Sequence, residues 1–260
     1  MKGSTVVKLG GSLLENARLR SHALDAVAEA WSNGQALAVM HGGGKKIDAL
    51  SSKLGLRKHT YHGLRITNAE TLEVVVSVLA GVVNKTLVAE LHRKGVAAVG
   101  LSGVDGETLV AELHPRINSI DYGFVGRIVE AHTTLIEGIA GSGFLPVIGS
   151  IASGPDGTLL NVNADSAASA LAVALQSRRL VFLTDVEGLL DASGQIVDLL
   201  TVERAESFLQ SGSVTGGMRP KLRAAIDALA GGVEEVIIAG PDRHRHALLQ
   251  GEGGTHLVAA

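Results

Sequence analysis

The chain has 260 residues, a net charge of −3 from 23 Lys+Arg and 26 Asp+Glu, no cysteine, and only four Phe, two Tyr and one Trp. That length is enough to bury roughly 70–75% of the unfolded surface, as one large or two small domains. With no basic run and few rings for bases to stack on, nucleic acid and anionic membrane are not expected partners, and zero cysteines exclude disulfides, thiolate catalysis and Cys-ligated metal.

In chain order, short apolar runs predict strands over residues 5–9, 36–40, 96–101, 145–151, 180–184, 235–239 and 255–258. Amphipathic segments over residues 22–32, 69–94, 164–176, 202–210 and 221–230 predict helices, most of them ending in Gly or Asn. Strand and helix in strict turn argue for an α/β fold, a parallel sheet covered by helices on both faces. Residues 104–129 break the pattern with the turn signals Asp105-Gly106, His114-Pro115 and Asp121-Tyr122-Gly123, and are expected to form a hairpin excursion. The turn cluster Ser153-Gly154-Pro155-Asp156-Gly157 suggests a lobe boundary, dividing residues 1–155 from 156–260. The longest apolar stretch, residues 74–83, is far short of the about 20 residues that span a bilayer. The N-terminus enters a strand directly, without a cleavable apolar segment, and the expectation is a soluble cytoplasmic protein.

The segments with chemical potential lie at strand ends and helix starts. Lys8-Leu9-Gly10-Gly11-Ser12 closes the first strand and His41-Gly42-Gly43-Gly44 the second. Consecutive glycines leave backbone N–H groups unobstructed, which suits anionic oxygens. Gly217-Met218-Arg219-Pro220-Lys221 suggests a helix start with a lysine beside it, and Asn161-Val162-Asn163-Ala164-Asp165 places an amide and a carboxylate at another helix entrance. Thr184-Asp185-Val186-Glu187-Gly188 follows a strand, and His62-Gly63-Leu64-Arg65 puts an arginine before the long helix. Taken singly, each also reads as ordinary structure: turn glycines, a solvated lysine, a helix-initiating carboxylate, a surface arginine. Lys45 and Lys46 read as a solvated first turn, and His244 and His246 as ligand-spaced but lacking a third ligand, so no protein-bound metal is expected. No G-x-x-x-x-G-K-[ST] or G-x-G-x-x-G motif is present, so any nucleotide is bound by other means.

Taken together, these segments, with Asn84-Lys85 and Val99-Gly100-Leu101, resemble the amino acid kinase family over nearly the whole chain, and within it the branch acting on N-acetyl-L-glutamate. The resemblance implies a three-layer αβα sandwich with an open, mainly parallel central sheet. Its N-terminal lobe would hold the acyl amino acid and its C-terminal lobe ATP with Mg²⁺. By the same resemblance, Gly43, Gly44, Arg65 and Asn161 would bind the acyl amino acid. Lys8 and Lys221 would flank the moving phosphoryl group, Asp165 would orient both, and Gly11 would donate an N–H. Gly10, Asp185, Val186, Glu187, Gly188, Leu189, Leu190, Ser213, Val214 and Thr215 would line the nucleotide pocket. Arginine-inhibited members carry an extra N-terminal helix used to build a hexamer, whereas Lys8 here is almost at the start; a homodimer without strong arginine feedback is expected. Residues 100–106 and 251–255 also resemble a branch acting on a carrier-linked aminoadipate. A non-catalytic amino-acid-binding protein of the same fold and, on the α/β pattern alone, a nicotinamide oxidoreductase are the other readings.

Overall fold

The computed structural model describes residues 1–61, 63–191 and 193–259. β1 (Thr5–Leu9) is followed by α1 (Gly11–Glu15) and α2 (Ala17–Ser32), and then by β2 (Leu37–His41), which pairs with β1 in parallel. α3 (Gly44–Lys53) and a small ribbon of β3 (Thr60–Tyr61) and β4 (Leu64–Arg65) lead to α4 (Ala69–Val76). A π-helical turn, Ser77–Val83, joins α4 without a break to α5 (Asn84–Arg93), so the long helix expected over residues 69–94 is present but widened at its centre. That run is long and apolar enough to cross a bilayer by composition, yet Val74, Val75, Val78, Leu79, Leu87 and Leu91 are packed into the core.

β5 (Ala98–Ser102) precedes the expected excursion, β6 (Leu109–Leu113) and β7 (Val125–Ala131), an antiparallel hairpin. After α6 (Thr134–Gly141), the apolar run beginning at Leu145 divides at Ser150 into β8 (Leu145–Gly149) and β9 (Ile151–Ser153). β9 leaves the central sheet and closes a four-stranded barrel with β6, β7 and β10 (Leu159–Val162). This closure was not expected from the sequence, because it depends on which distant strands meet. The remainder is α7 (Ala164–Ala174), β11 (Arg179–Leu183), β12 (Leu199–Thr201), α8 (Val202–Gln210), α9 (Met218–Ala230), β13 (Glu235–Ala239), α10 (His244–Leu249) and β14 (Thr255–Val258). α9 thus begins at Met218, ahead of the expected start, with Pro220 inside its first turn, where its missing N–H costs no helical hydrogen bond.

The central sheet has the order β12-β14-β13-β11-β1-β2-β8-β5, and all its pairings are parallel except β13 with β14. Side chains alternate across it. Val6, Met40, Ile148, Phe182 and Ile238 join the core formed with α7 and α9, whereas Val7, Val39, Val147, Val181 and Ile237 join the core formed with α2, α4 and α5. The result is the expected αβα sandwich.

Candidate active site

In the order β11-β1-β2, the chain reaches β2 from β1 through α2 on one face of the sheet and enters β11 from α7 on the other, and such a switch point opens a crevice at the carboxyl ends of the strands. The loops after all three strands meet there. A methyl on Gly10 would lie 3.1 Å from the Leu183 carbonyl, one on Gly42 3.2 Å from Cβ of Ala164, and one on Gly43 2.9 Å from Cδ2 of Leu79. A methyl on Gly11 would stand 3.6 Å from the Gly44 nitrogen, so the two glycine loops touch. At Gly10, Gly42 and Gly43 the neighbours come too close for a side chain without shifting.

Three charged side chains converge beneath them. Lys8, pointing from β1, donates to Oδ1 of Asp165 at 2.7 Å, and Lys221, from the first turns of α9, donates to the same oxygen at 3.3 Å. All three side chains are buried. Asp165 lies in the first turn of α7, which Asn163 caps by accepting from the backbone N–H groups of Asp165 and Ser166. Burial raises the Asp165 pKa, but the charges of Lys221 and Lys8 more than reverse this, and the carboxyl stays below its usual range. Burial pushes Lys221 down to about 8 despite the attraction of Asp165, and Lys8 adds to the fall by repulsion. The face of the Phe182 ring lies under Lys221, 4.9 Å from Nζ to the centroid. One carboxylate between two ammonium groups leaves an excess positive charge in a dry crevice, which favours a polyanion beside it.

A cavity of about 420 Å³ opens from this cluster and is lined by Lys8, Gly11, Gly43, Gly44, Arg65, Asn161 and Asp165, so these expected catalytic and substrate residues share one space. Arg65 pairs with Asp48 of α3, which also accepts from Lys58 at 2.8 Å. Burial would raise Asp48, but the hydrogen bonds from Lys58 and Arg65 overcome it and hold the carboxyl low. Asn161 donates to the Thr67 hydroxyl at 3.2 Å, and that hydroxyl donates to the Arg65 carbonyl at 2.8 Å, linking β10 to the arginine strand. Asp48, Lys58 and Ser12 line or bound the cavity and were not singled out from the sequence. The one available signal was Asp48 lying one helical turn after Gly44.

The residues expected around a nucleotide do not line this cavity; apart from Gly10, which follows β1, they lie in the segments after β11 and before α9. Asp185 is exposed; the partial desolvation of its carboxyl raises it, but bonds from Ser12, its own amide and the Thr184 hydroxyl, with the charge of Lys45, together bring it below the ordinary range. Val186 and Leu190 are exposed and apolar, able to meet a flat ring, and the polar Ser213 and Thr215 are also exposed. Leu189 and Val214 instead point into the core, and Gly188 packs against Thr255, so these three shape the loop from behind. His244 is buried, driven down to about 4 by desolvation, with Nε2 3.1 Å from the Thr184 carbonyl at the base of the same loop. Among the described residues no group of three or more His, Cys, Asp or Glu forms a metal cage. His62 of the expected His62–Thr67 segment lies outside the described residues.

An αβα sandwich with two buried lysines on one aspartate at its switch point is a phosphotransferase arrangement. The chain belongs to the amino acid kinase family, whose model matches residues 4–240. Among particular relatives, the acetylglutamate kinase of Rhizobium rhizogenes is 40% identical over 254 residues, 94% of this chain and 86% of that protein. The solved N-acetylglutamate synthase of Neisseria gonorrhoeae, complexed with coenzyme A and N-acetylglutamate, superposes with a TM-score of 0.86 at 27% identity, covering 100% of this chain and 60% of that one. The carbamate kinase of Giardia lamblia bound to AMP-PNP shares the fold, with a TM-score of 0.73 at 16% identity, covering 100% of this chain and 99% of that one.

Proposed function

We propose that this chain transfers the γ-phosphoryl group of ATP to the γ-carboxylate of N-acetyl-L-glutamate, giving N-acetyl-L-glutamyl 5-phosphate and ADP, an early step of arginine biosynthesis. The observation that carries the chemistry is the convergence of Lys8 and Lys221 on one oxygen of Asp165 beside two glycine loops. The 40% identity to acetylglutamate kinases carries the substrate.

A carboxylate is already a nucleophile at neutral pH, so no general base is needed. Its oxygen forms a bond to the γ-phosphorus as the bond to the bridging β–γ oxygen breaks, and ADP leaves with that electron pair. Such a transfer is promoted by positioning and charge neutralisation. Lys8 and Lys221 supply the charge, Asp165 holds both ammonium groups in place, and the Gly11 N–H donates to a phosphoryl oxygen. Arg65 has the planar fork suited to the α-carboxylate, with Asn161, Gly43 and Gly44 completing the acyl amino acid site. Asp185, Val186, Glu187 and Leu190, with Gly10, Ser213 and Thr215, form the nucleotide side, and Gly188, Leu189 and Val214 support it from behind. Mg²⁺ bound with the nucleotide would supply further neutralisation of phosphate charge. Residues 1–155 would then form the acyl amino acid lobe and residues 156–260 the ATP lobe, with Asn161 on β10 contributed across that boundary to the acyl amino acid site. Cytoplasmic residence and a homodimer without strong arginine feedback complete the reading; Val82, half exposed on the helical run Ala69–Arg93, is an apolar side chain available to a dimer contact.

The test is ATP- and Mg²⁺-dependent acyl-phosphate formation, trapped as the hydroxamate, with N-acetylglutamate, glutamate, N-acetylaminoadipate and aspartate offered separately. Strong preference for N-acetylglutamate is expected. Turnover of the longer acid alone, or of none, would defeat the reading.

A further inference from the structure

Asn84 opens α5 directly after the π-helical turn and is fully buried. Its Nδ2 stands 2.9 Å from the Val147 carbonyl on β8, 3.1 Å from the Leu101 carbonyl on β5 and 3.1 Å from Nε2 of His41 at the end of β2. The two carbonyls fix the orientation of the amide, since the flipped rotamer would turn its oxygen against theirs. Oδ1 instead accepts from Lys85 at 3.1 Å, and the same ammonium donates to the Gly100 carbonyl at 3.0 Å. A methyl on Gly100 would lie 2.0 Å from Oδ1, so β5 leaves the amide its space by carrying no side chain there.

An amide nitrogen only donates; its two N–H groups are shared among the three acceptors, and in no arrangement can it accept from a ring N–H. Nε2 of His41 is therefore the bare side of the ring, and the one proton of the neutral imidazole sits on Nδ1, 3.0 Å from the Gly42 carbonyl. Burial, aided by the nearby Lys8 and Lys85 charges, pushes His41 down to about 4 against the pull of that carbonyl, so the ring is neutral at physiological pH. In a trans peptide the C=O and the following N–H point in opposite directions. Holding the Gly42 oxygen toward His41 thus turns the Gly43 N–H away from it.

We propose that Asn84 and His41 are positioning residues for the Gly42-Gly43-Gly44 loop. The Asn84 amide selects the Nδ1–H tautomer of His41, and that proton holds the Gly42 carbonyl so that the loop keeps its N–H groups toward the cavity for the acyl amino acid. The consequence for substrate rests on the function proposed above; the tautomer does not.

The test combines nitrogen–proton NMR of the full chain labelled with ¹⁵N-histidine, His41 being assigned by its loss in His41→Gln, with steady-state kinetics. The wild type is expected to show His41 protonated at Nδ1 and bare at Nε2. Asn84→Leu should lose that signature and lower kcat/KM for N-acetylglutamate by about 10- to 100-fold, with KM for ATP nearly unchanged. Gly100→Ala, which displaces the amide without removing it, should move both readouts the same way and serves if Asn84→Leu does not fold. A wild-type His41 protonated at Nε2, or a folded variant that keeps either the tautomer or the full kcat/KM, overturns the proposal. A wild type that shows the expected spectrum but phosphorylates no acyl amino acid counts against the functional reading alone, and the spectrum of Asn84→Leu then decides the relay.

Discussion

The ammonium of Lys221 lies 4.9 Å from the centroid of the Phe182 ring, and both side chains are buried. Phe182 comes from β11 and Lys221 from α9, so the sheet itself provides the floor beneath one of the two lysines. Asp165, Lys8 and the more distant Asp185 are the charges that act on the same ammonium.

A desolvated cation over a ring face gains about 0.5–2 kcal/mol. Phe182→Leu keeps an apolar side chain while removing that face, so kcat should fall about 2- to 30-fold and the alkaline limb of kcat/KM should move to lower pH. A folded Phe182→Leu protein with an unmoved limb would show that the ring only fills space.

Because Lys221 is pushed down to about 8, its charge is lost in the free enzyme as pH rises through that value, and kcat/KM should decline there. Bound phosphates favour the ammonium, so the limb of kcat itself should lie at higher pH. Lys8→Ala and Lys221→Ala should each lower kcat by about 100-fold or more with circular dichroism unchanged, by analogy with loss of an oxyanion donor. Near wild-type turnover in either would remove that residue from the reaction.

The carboxyl of Asp165 is raised by burial but drawn below its ordinary value by Lys221 and Lys8. A carboxylate with a depressed folded-state pKa contributes stability above its unfolded pKa that is lost as pH falls through the folded value. Asp165→Asn should therefore weaken the acid dependence of stability. Leaving two buried lysines unpaired should also cost about 3–5 kcal/mol in urea unfolding at pH 7. Equal urea midpoints for variant and wild type would contradict this ion cluster.

Asp48 holds Arg65 from α3 while also pairing with Lys58. Arg65→Ala should mainly raise KM for N-acetylglutamate, and Arg65→Lys should fail to restore it, because an ammonium lacks the two-pronged geometry for a carboxylate. Asp48→Asn keeps the shape but weakens the hold on Arg65, so a smaller rise in the same KM is expected. If KM is unchanged in Arg65→Ala, the arginine has no part in binding.

Some of this was legible in one dimension. Runs such as Thr5–Leu9 and Arg179–Leu183 are mostly apolar on both faces, Lys8 being the polar interruption of the first, and are followed by turn residues, which marks buried parallel strands. The helix of residues 69–94 was equally plain, but its π-helical turn was not, and neither was the break at Ser150, where β9 leaves the sheet for the barrel. Lys8, Arg65, Asn161 and Asp165 could be placed in one family pattern, and they line one cavity. Asp48, Phe182 and the partnership of Asn84 with His41 carry no local signature, since an aspartate in a first turn, a phenylalanine in a strand and a buried asparagine occur for many reasons.

The sequence by itself determined the principal strands and the long helices, because strand and helix periodicity and glycine turns are consequences of backbone geometry over a few residues. It also determined which loops lack side chains and which helix entrances carry charge. Only the tertiary structure decided which of these meet: the order β11-β1-β2 brings the carboxyl ends of three strands together, and the packing of α7 and α9 sets Asp165 under Lys8 and Lys221. Contacts between residues so far apart in the chain depend on sheet order, register and helix packing, which many sequences with the same local pattern could satisfy differently.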